Sequence, residues 1–114
     1  MIVKLIKTRD HEDGYEIENL SINKEYEVIG IETDFYRIVD DKNEPCLFSP
    51  NCFEIINSNK PNFWITEIGE DGEEYSYPPN WNEIGFFEDF FDDVKNVKDQ
   101  FWKDYRKYYY KNSS

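Results

Sequence analysis

Three groups of side chains carry chemical potential. They are His11 beside Asp10, Glu12 and Asp13, the cysteines Cys46 and Cys52, and the carboxylates Glu88, Asp89, Asp92 and Asp93 at helical spacing. His11 and its acids suggest a metal ion, but transition-metal sites need more converging imidazole or thiolate ligands than one histidine supplies, so His11 reads as a solvated loop residue. A calcium loop around Gly14 fails, because Arg9 and His11 stand where the first carboxylate ligands belong and Leu20 stands where the closing glutamate belongs. A second one around Gly72 fails because Gly69 takes a ligand position and Pro78 the closing one. Cys46 and Cys52 lack metal-ligand spacing and read as reduced, partly buried thiols. Glu88, Asp89, Asp92 and Asp93 place carboxylates four apart on one helical face, which reads as a solvated acidic surface. Nucleophilic catalysis lacks its parts: the histidine has no serine or cysteine partner pattern, and there is no glycine-rich phosphate loop. The expectation is a non-enzymatic protein with no metal and no cofactor.

Docking is the chemistry that remains. From Glu67 to Asp93 the acids Glu67, Glu70, Asp71, Glu73, Glu74, Glu83, Glu88, Asp89, Asp92 and Asp93 occur without a Lys or Arg, and basic residues prevail only from Lys95 onward. With 25 acidic and 13 basic side chains the formal charge is -12. A field of that sign repels nucleic acid and anionic lipid and attracts basic proteins. Solubility is the other use of such charge. Acid early and base late also suits a helix macrodipole, which leaves the acids before the helix unexplained. The contact candidates are therefore Glu70, Asp71, Glu73, Glu74, Glu88, Asp89, Asp92 and Asp93. Aromatic residues make up 18% of the chain, and Trp64, Tyr75, Tyr77 and Trp81 are candidate anchors, because a few buried aromatics usually carry affinity that charge alone cannot.

The elements that must position these residues follow from the pattern. Residues 1–7 alternate as a first strand, and Tyr15-Glu16-Ile17-Glu18 is a short strand candidate. From Glu25 to Gly30, Tyr26, Val28 and Gly30 alternate with Glu25, Glu27 and Ile29 as one strand. Phe35-Tyr36-Arg37-Ile38-Val39 follows Thr33-Asp34 as the next. Asp40-Asp41-Lys42-Asn43-Glu44-Pro45 supplies turn chemistry before a strand at Cys46-Leu47-Phe48. Ser49-Pro50-Asn51 suits a single tight turn before Phe53-Glu54-Ile55-Ile56. Asn57-Ser58-Asn59-Lys60-Pro61-Asn62 reads as a linker. Beyond it, Phe63 to Ile68 and Glu73 to Tyr77 form a hairpin across Asp71-Gly72. After Gly85 the period changes: Phe87, Val94, Phe101 and Tyr108 lie seven apart, with Phe90, Phe91, Val97, Trp102 and Tyr105 on the same broad side. So long a helix is expected to break between Asp92 and Asn96 into two.

The pattern Lys24-x-Tyr26-x-Val28, then Tyr36-Arg37-Ile38 with Asp40-Asp41 and Pro45, then Phe53-Glu54-Ile55, resembles small bacterial SH3-like barrel proteins. That group includes uncharacterised proteins and immunity partners of secreted toxins. The resemblance covers residues 1–57. It implies an SH3-like antiparallel barrel over 1–57; with the hairpin and one or two amphipathic helices that the pattern places over 58–114, packed as one cooperative unit, the expected fold is α+β. No functional residue carries over. The function it implies is an immunity protein whose acidic surface occupies the cleft of a basic, nuclease-type toxin. The alternative is a nucleic-acid mimic or regulatory adaptor of mobile-element origin that binds a host DNA-binding or defence protein. A peptide-binding module lined by Tyr26, Phe35, Tyr36 and Phe48 and a structural subunit also stay open. The expected partner is a basic protein, a cognate toxin domain, with no direct nucleic acid and no membrane, and the protein itself a monomer or weak dimer. Residues 1–7 are too short and too broken by lysine for a secretory signal, and no apolar run is long enough to span a bilayer, so the expected location is cytoplasmic.

Overall fold

The computed structural model describes residues 1–10, 12 and 14–109. His11 and Asp13, two of the residues weighed above for a metal site, lie outside the described residues. The fold is α+β. Among the described residues eight strands run in order as β1 (Ile2–Leu5), β2 (Glu25–Glu27), β3 (Gly30–Glu32), β4 (Phe35–Val39), β5 (Pro45–Phe48), β6 (Phe53–Asn57), β7 (Ile65–Ile68) and β8 (Glu74–Tyr77). Two helices follow, α1 (Phe86–Phe91) and α2 (Lys95–Tyr109). The strands form two antiparallel sheets, β2-β1-β6 and β5-β4-β3-β8-β7, and neither closes on itself. Among the described residues no helix is long and apolar enough to cross a membrane.

The strand expected from Glu25 to Gly30 is divided. The Val28 amide bonds the Met1 carbonyl on the first sheet, while the Ile29 amide bonds the Arg37 carbonyl on the second. The chain changes sheets between them. Both side chains are therefore buried, against the alternation that placed Ile29 outside: Val28 enters the core built on β1, and Ile29 enters a second core beneath the helices. Tyr15-Glu16-Ile17-Glu18 is not a strand either. Only an isolated bridge joins Arg9 to Glu16, while Ile17 is held by its amide bond to the Thr8 carbonyl and by burial.

β3 and β4 are joined through Thr33 and Asp34, both at positive φ, as a two-residue hairpin connection requires. Asp40 organises the next turn by accepting the amides of Lys42 and Glu44 at 2.9 Å each. A single 3-10 turn, Pro50–Cys52, leads into β6. The hairpin β7-β8 joins the second sheet directly, since β8 pairs with β3 through Ile31↔Ser76 and Glu32↔Tyr75. Gly30 permits this approach: a Cβ there would clash with two carbons of the Tyr77 ring.

The helical stretch breaks at residues 92–94, with Asp93 at φ 62. The break turns Phe91 and Val94 outward, whereas Phe87, Phe90 and Phe101 stay buried. The second core is largely aromatic: Trp81 stacks on Phe101 at 4.6 Å, and Phe86, Phe87 and Phe90 surround them. Buried Asp104 on α2 accepts the Trp81 indole N–H at 3.1 Å and the Gln100 amide at 2.9 Å. The two cores are tied by Tyr109, whose hydroxyl donates to the Ile29 carbonyl and accepts the Trp64 indole N–H, each at 2.8 Å.

Candidate functional site

The second sheet and α1 enclose an open groove of about 870 Å³. Its sheet side is Tyr75 and Tyr77 on β8, Glu67 on β7, and Glu32 and Arg37 on β3 and β4; its opposite wall is the loop 82–85 and α1. Local sequence dictates this wall. Pro78 and Pro79 stop the β8 ladder, and Gly85 at φ 80 turns the chain into α1.

At the base lies Arg37, 4% exposed. Its Nε–H donates to the Tyr77 hydroxyl at 3.0 Å, Nη1 to the Pro45 carbonyl at 2.8 Å, and Nη2 to Glu32 Oε1 at 2.8 Å. The Tyr77 hydroxyl donates to the same Glu32 oxygen at 2.7 Å. Burial pushes the Tyr77 phenol well above its ordinary pKa, so it remains a donor throughout the neutral range. The groove's internal cation is thus committed to its own walls.

The carboxylates around it are different. Glu67, Glu83, Glu88 and Asp92 line the groove, and among the described residues none has a cationic partner. Six of the other cations pair with acids away from the groove: Lys4 with Glu54, Arg9 with Glu16, Lys24 with Asp41, Lys60 with Glu74, Lys95 with Asp99 and Lys98 with Asp93. The result is an unneutralised acidic rim over an aromatic floor. Ile84, fully exposed, stands on the lip, with Phe91 nearly half exposed beside the groove.

Five of the residues expected from sequence meet here: Tyr75, Tyr77, Trp81, Glu88 and Asp92. Trp81 is fully buried and forms the groove's base rather than a projecting anchor. Trp64 is not at the groove; it packs in the first core, its N–H satisfied by Tyr109. Glu70 and Asp71 sit exposed at the hairpin tip. Glu73 is engaged in the same turn, accepting the Asp71 amide at 2.9 Å, and Glu74 is paired with Lys60. Asp89 is exposed outside the groove lining, and Asp93 is neutralised by Lys98 at 2.9 Å. Glu32, Arg37, Glu67, Glu83, Ile84 and Phe91 were not among the expected contacts. Two of them carry a signal in the sequence: Arg37 is the one charge inside an otherwise apolar strand, and Ile84 the one large apolar residue in the polar loop 82–85.

Two other arrangements bear on chemistry. Tyr26, Tyr36 and Phe48, aromatics for a peptide groove in the barrel, are buried in the first core, and only Phe35 of that set is exposed. Asp40, Glu44 and Cys46 bring carboxylate and thiol atoms within 4.8 Å of one another. Asp40 already caps the turn through one oxygen and faces the Cys46 thiol through the other at 3.8 Å. Burial first, then the neighbouring carboxylates of Asp40 and Glu44, push that thiol up to about 11, so it stays protonated at neutral pH. The cluster works as a turn cap and offers no activated nucleophile.

Comparison with protein-family models, with curated proteins and with solved structures gives no match to this chain.

Proposed function

We propose that this chain is a non-enzymatic binding protein that takes a basic partner into the groove between the second sheet and α1. In its most specific form it is an immunity protein that neutralises a nuclease-type bacterial toxin in the cytoplasm. The observation that carries the reading is the gathering of Glu67, Glu83, Glu88 and Asp92, none with a cationic partner among the described residues, around an aromatic floor. A nuclease cleft is lined with cations that hold phosphate. Carboxylates on this rim steer to such a cleft and replace the phosphate, while the Ile84 and Phe91 side chains supply the apolar contact that holds the complex.

The SH3-like resemblance belongs to the same proposal. Its support is topological: the chain from β2 to β3 crosses between sheets at Val28 and Ile29, and a 3-10 turn precedes β6, which returns to pair with β1. These features suit a partly opened barrel to which β7, β8 and the helices have been added.

Co-expression with any basic, nuclease-type toxin domain found encoded beside this chain tests the function. Wild type is expected to restore growth and to co-purify with the toxin, and a Glu67→Lys, Glu88→Lys, Asp92→Lys variant to do neither while remaining folded. Failure of the wild type to bind or protect overturns the immunity reading. Capture of a host DNA-binding protein through the same acids assigns nucleic-acid mimicry instead.

A further inference from the structure

The groove opens at one side onto β7, the outermost strand of the second sheet. Strand edges are templates for pairing, and proteins normally protect them by brevity, charge, proline or a bulge. The other outer strands carry such devices. β2 is three residues long with a glutamate at each end. The β1-β6 ladder is irregular between Ile2 and Val3. β5 opens on Pro45, and the Asp40-to-Glu44 hydrogen bond sets a register in which Pro45 faces the outer edge, where it removes a donor.

β7 has neither proline nor bulge, and its one charge, Glu67, lines the groove. Its four residues stay in continuous register with β8, and every one is exposed, Ile68 at 65%. The Gly69 amide bonds the Glu73 carbonyl at 2.8 Å, which fixes the alternation along the ladder: Ile65 and Glu67 direct their backbone groups toward β8, and Thr66 and Ile68 direct theirs outward. An open pair of backbone donors and acceptors therefore lies beside the acidic groove.

We propose that the outer edge of β7 takes an extended, basic segment of the partner as an added strand, with a Lys or Arg side chain beside Glu67 entering the groove and an apolar side chain beside Ile68 covering the opposite face. This rests on the reading of the groove as the docking site of a basic partner and specifies how that partner is held. Charge selects the occupant. Glu67 is the strand's one charged residue, and Glu70 and Asp71 continue the acidic border at the turn. A second copy of this chain, at a net charge of -12, would bring these acids against their own kind. Main-chain bonds to Thr66 and Ile68 would give affinity, and the alternation of basic and apolar side chains would give specificity.

The test is selection of short random peptides displayed on phage against the full chain at low salt. The best peptide is then measured on wild type and on Ile68→Pro, Ile68→Ala and Glu67→Lys. Ile68→Pro removes an outward amide without touching the β8 ladder, and the exposed side chain it replaces is controlled by Ile68→Ala. The expected peptide alternates Lys or Arg with apolar residues. Ile68→Pro and Glu67→Lys each weaken it by about tenfold or more, Ile68→Ala changes it little, and in wild type the Thr66 and Ile68 amides gain protection from hydrogen exchange. The exchange measurement decides the matter even if the proline variant is poorly folded. Loss of binding with Glu67→Lys alone, and no protection at Thr66 and Ile68, overturns strand addition and leaves the basic-partner groove standing. Selected peptides without Lys or Arg overturn both. A concentration-dependent dimer abolished by Ile68→Pro makes the occupant a second copy and overturns the proposal.

Discussion

The Arg37 guanidinium carbon lies 3.9 Å from the centre of the Phe87 ring. This contact joins β4 to α1 across the base of the groove, so the floor and the wall of the candidate site depend on one buried cation. Arg37 is also the only charged residue of its strand. Its hydrogen bonds reach Glu32, Tyr77 and the Pro45 carbonyl, on three other strands.

Replacing Arg37 by Ala is expected to cost about 3–5 kcal/mol, because Glu32 and the Tyr77 hydroxyl lose their shared partner and the α1 contact goes with it. Arg37→Lys is expected to recover only part of that, since a lysine cannot donate in three directions from a planar fork or lie flat on Phe87. Urea unfolding of the three proteins checks both. A loss for Arg37→Ala below about 1 kcal/mol would show that the network is dispensable.

The legible part of the fold was what depends on local pattern. The strands around Tyr36 and Phe53, the hairpin at Asp71-Gly72 and the helix break after Asp92 all follow from alternation, turn residues and period. Ile29 shows where that stops. Its burial results from the chain passing between two sheets, a tertiary event that alternation within one strand cannot register. The site divides in the same way. Glu88 and Asp92 were visible as an acidic helical face, and Tyr75 and Tyr77 as strand aromatics. What the pattern did not contain was which acids would be neutralised: Asp93 and Glu74 look like their neighbours in sequence, yet Lys98 and Lys60 reach them. Trp64 was misplaced because a large aromatic beside a linker looks the same whether it is a core residue or an interface anchor.

Two carboxylates give the stability an acid limb. Hydrogen bonds to Asp10 from Ser49, from the Glu12 amide and from Asn51 favour its ionised form and hold its pKa below the ordinary value of 3.8. At Asp41, burial works to raise the pKa, and hydrogen bonds from Ser21, Lys24 and Tyr26 outweigh it, so the net shift is again downward from 3.8. A folded-state pKa below the unfolded one contributes stability that is present above the unfolded value and is lost as pH falls through the folded one. The Tm difference between wild type and Asp41→Asn is therefore expected to be constant near neutrality and to shrink below about pH 4. Thermal melts of both proteins from about pH 7 down to about pH 2.5 check this. A difference that stays flat would mean that the carboxylate's charge is not what the Ser21, Lys24 and Tyr26 contacts stabilise.

Cys46 is partly accessible yet carries a thiol raised to about 11. The thiolate is the reactive form, so alkylation by iodoacetamide at about pH 7.5 is expected to run on the order of a hundredfold slower than that of an unperturbed cysteine. Asp40→Asn removes one of the carboxylates that hold the proton and is expected to accelerate the reaction. Mass spectrometry of timed aliquots, with Cys52 replaced by Ala, follows Cys46 alone. Reaction at the ordinary rate in the wild type would show that burial and the Asp40 and Glu44 carboxylates do not suppress the thiolate.

Ile84 offers the sharpest separation of stability from binding. It is fully exposed on the lip of the groove, next to Glu83, and contributes to neither core cluster. An exposed side chain of this kind contributes little to folding, so Ile84→Asp is expected to change unfolding free energy by no more than about 0.5 kcal/mol. In the complex the same side chain is an apolar anchor ringed by charge, and its loss is expected to weaken partner binding by about 2 kcal/mol or more. Adding a negative charge at the lip should, by electrostatic steering alone, have left the association rate with a basic partner unchanged or increased. A faster dissociation in Ile84→Asp with undiminished association, measured by surface plasmon resonance, therefore identifies an apolar contact rather than an altered field. Unchanged dissociation removes the lip from the interface and moves the contact toward the β7 side of the groove.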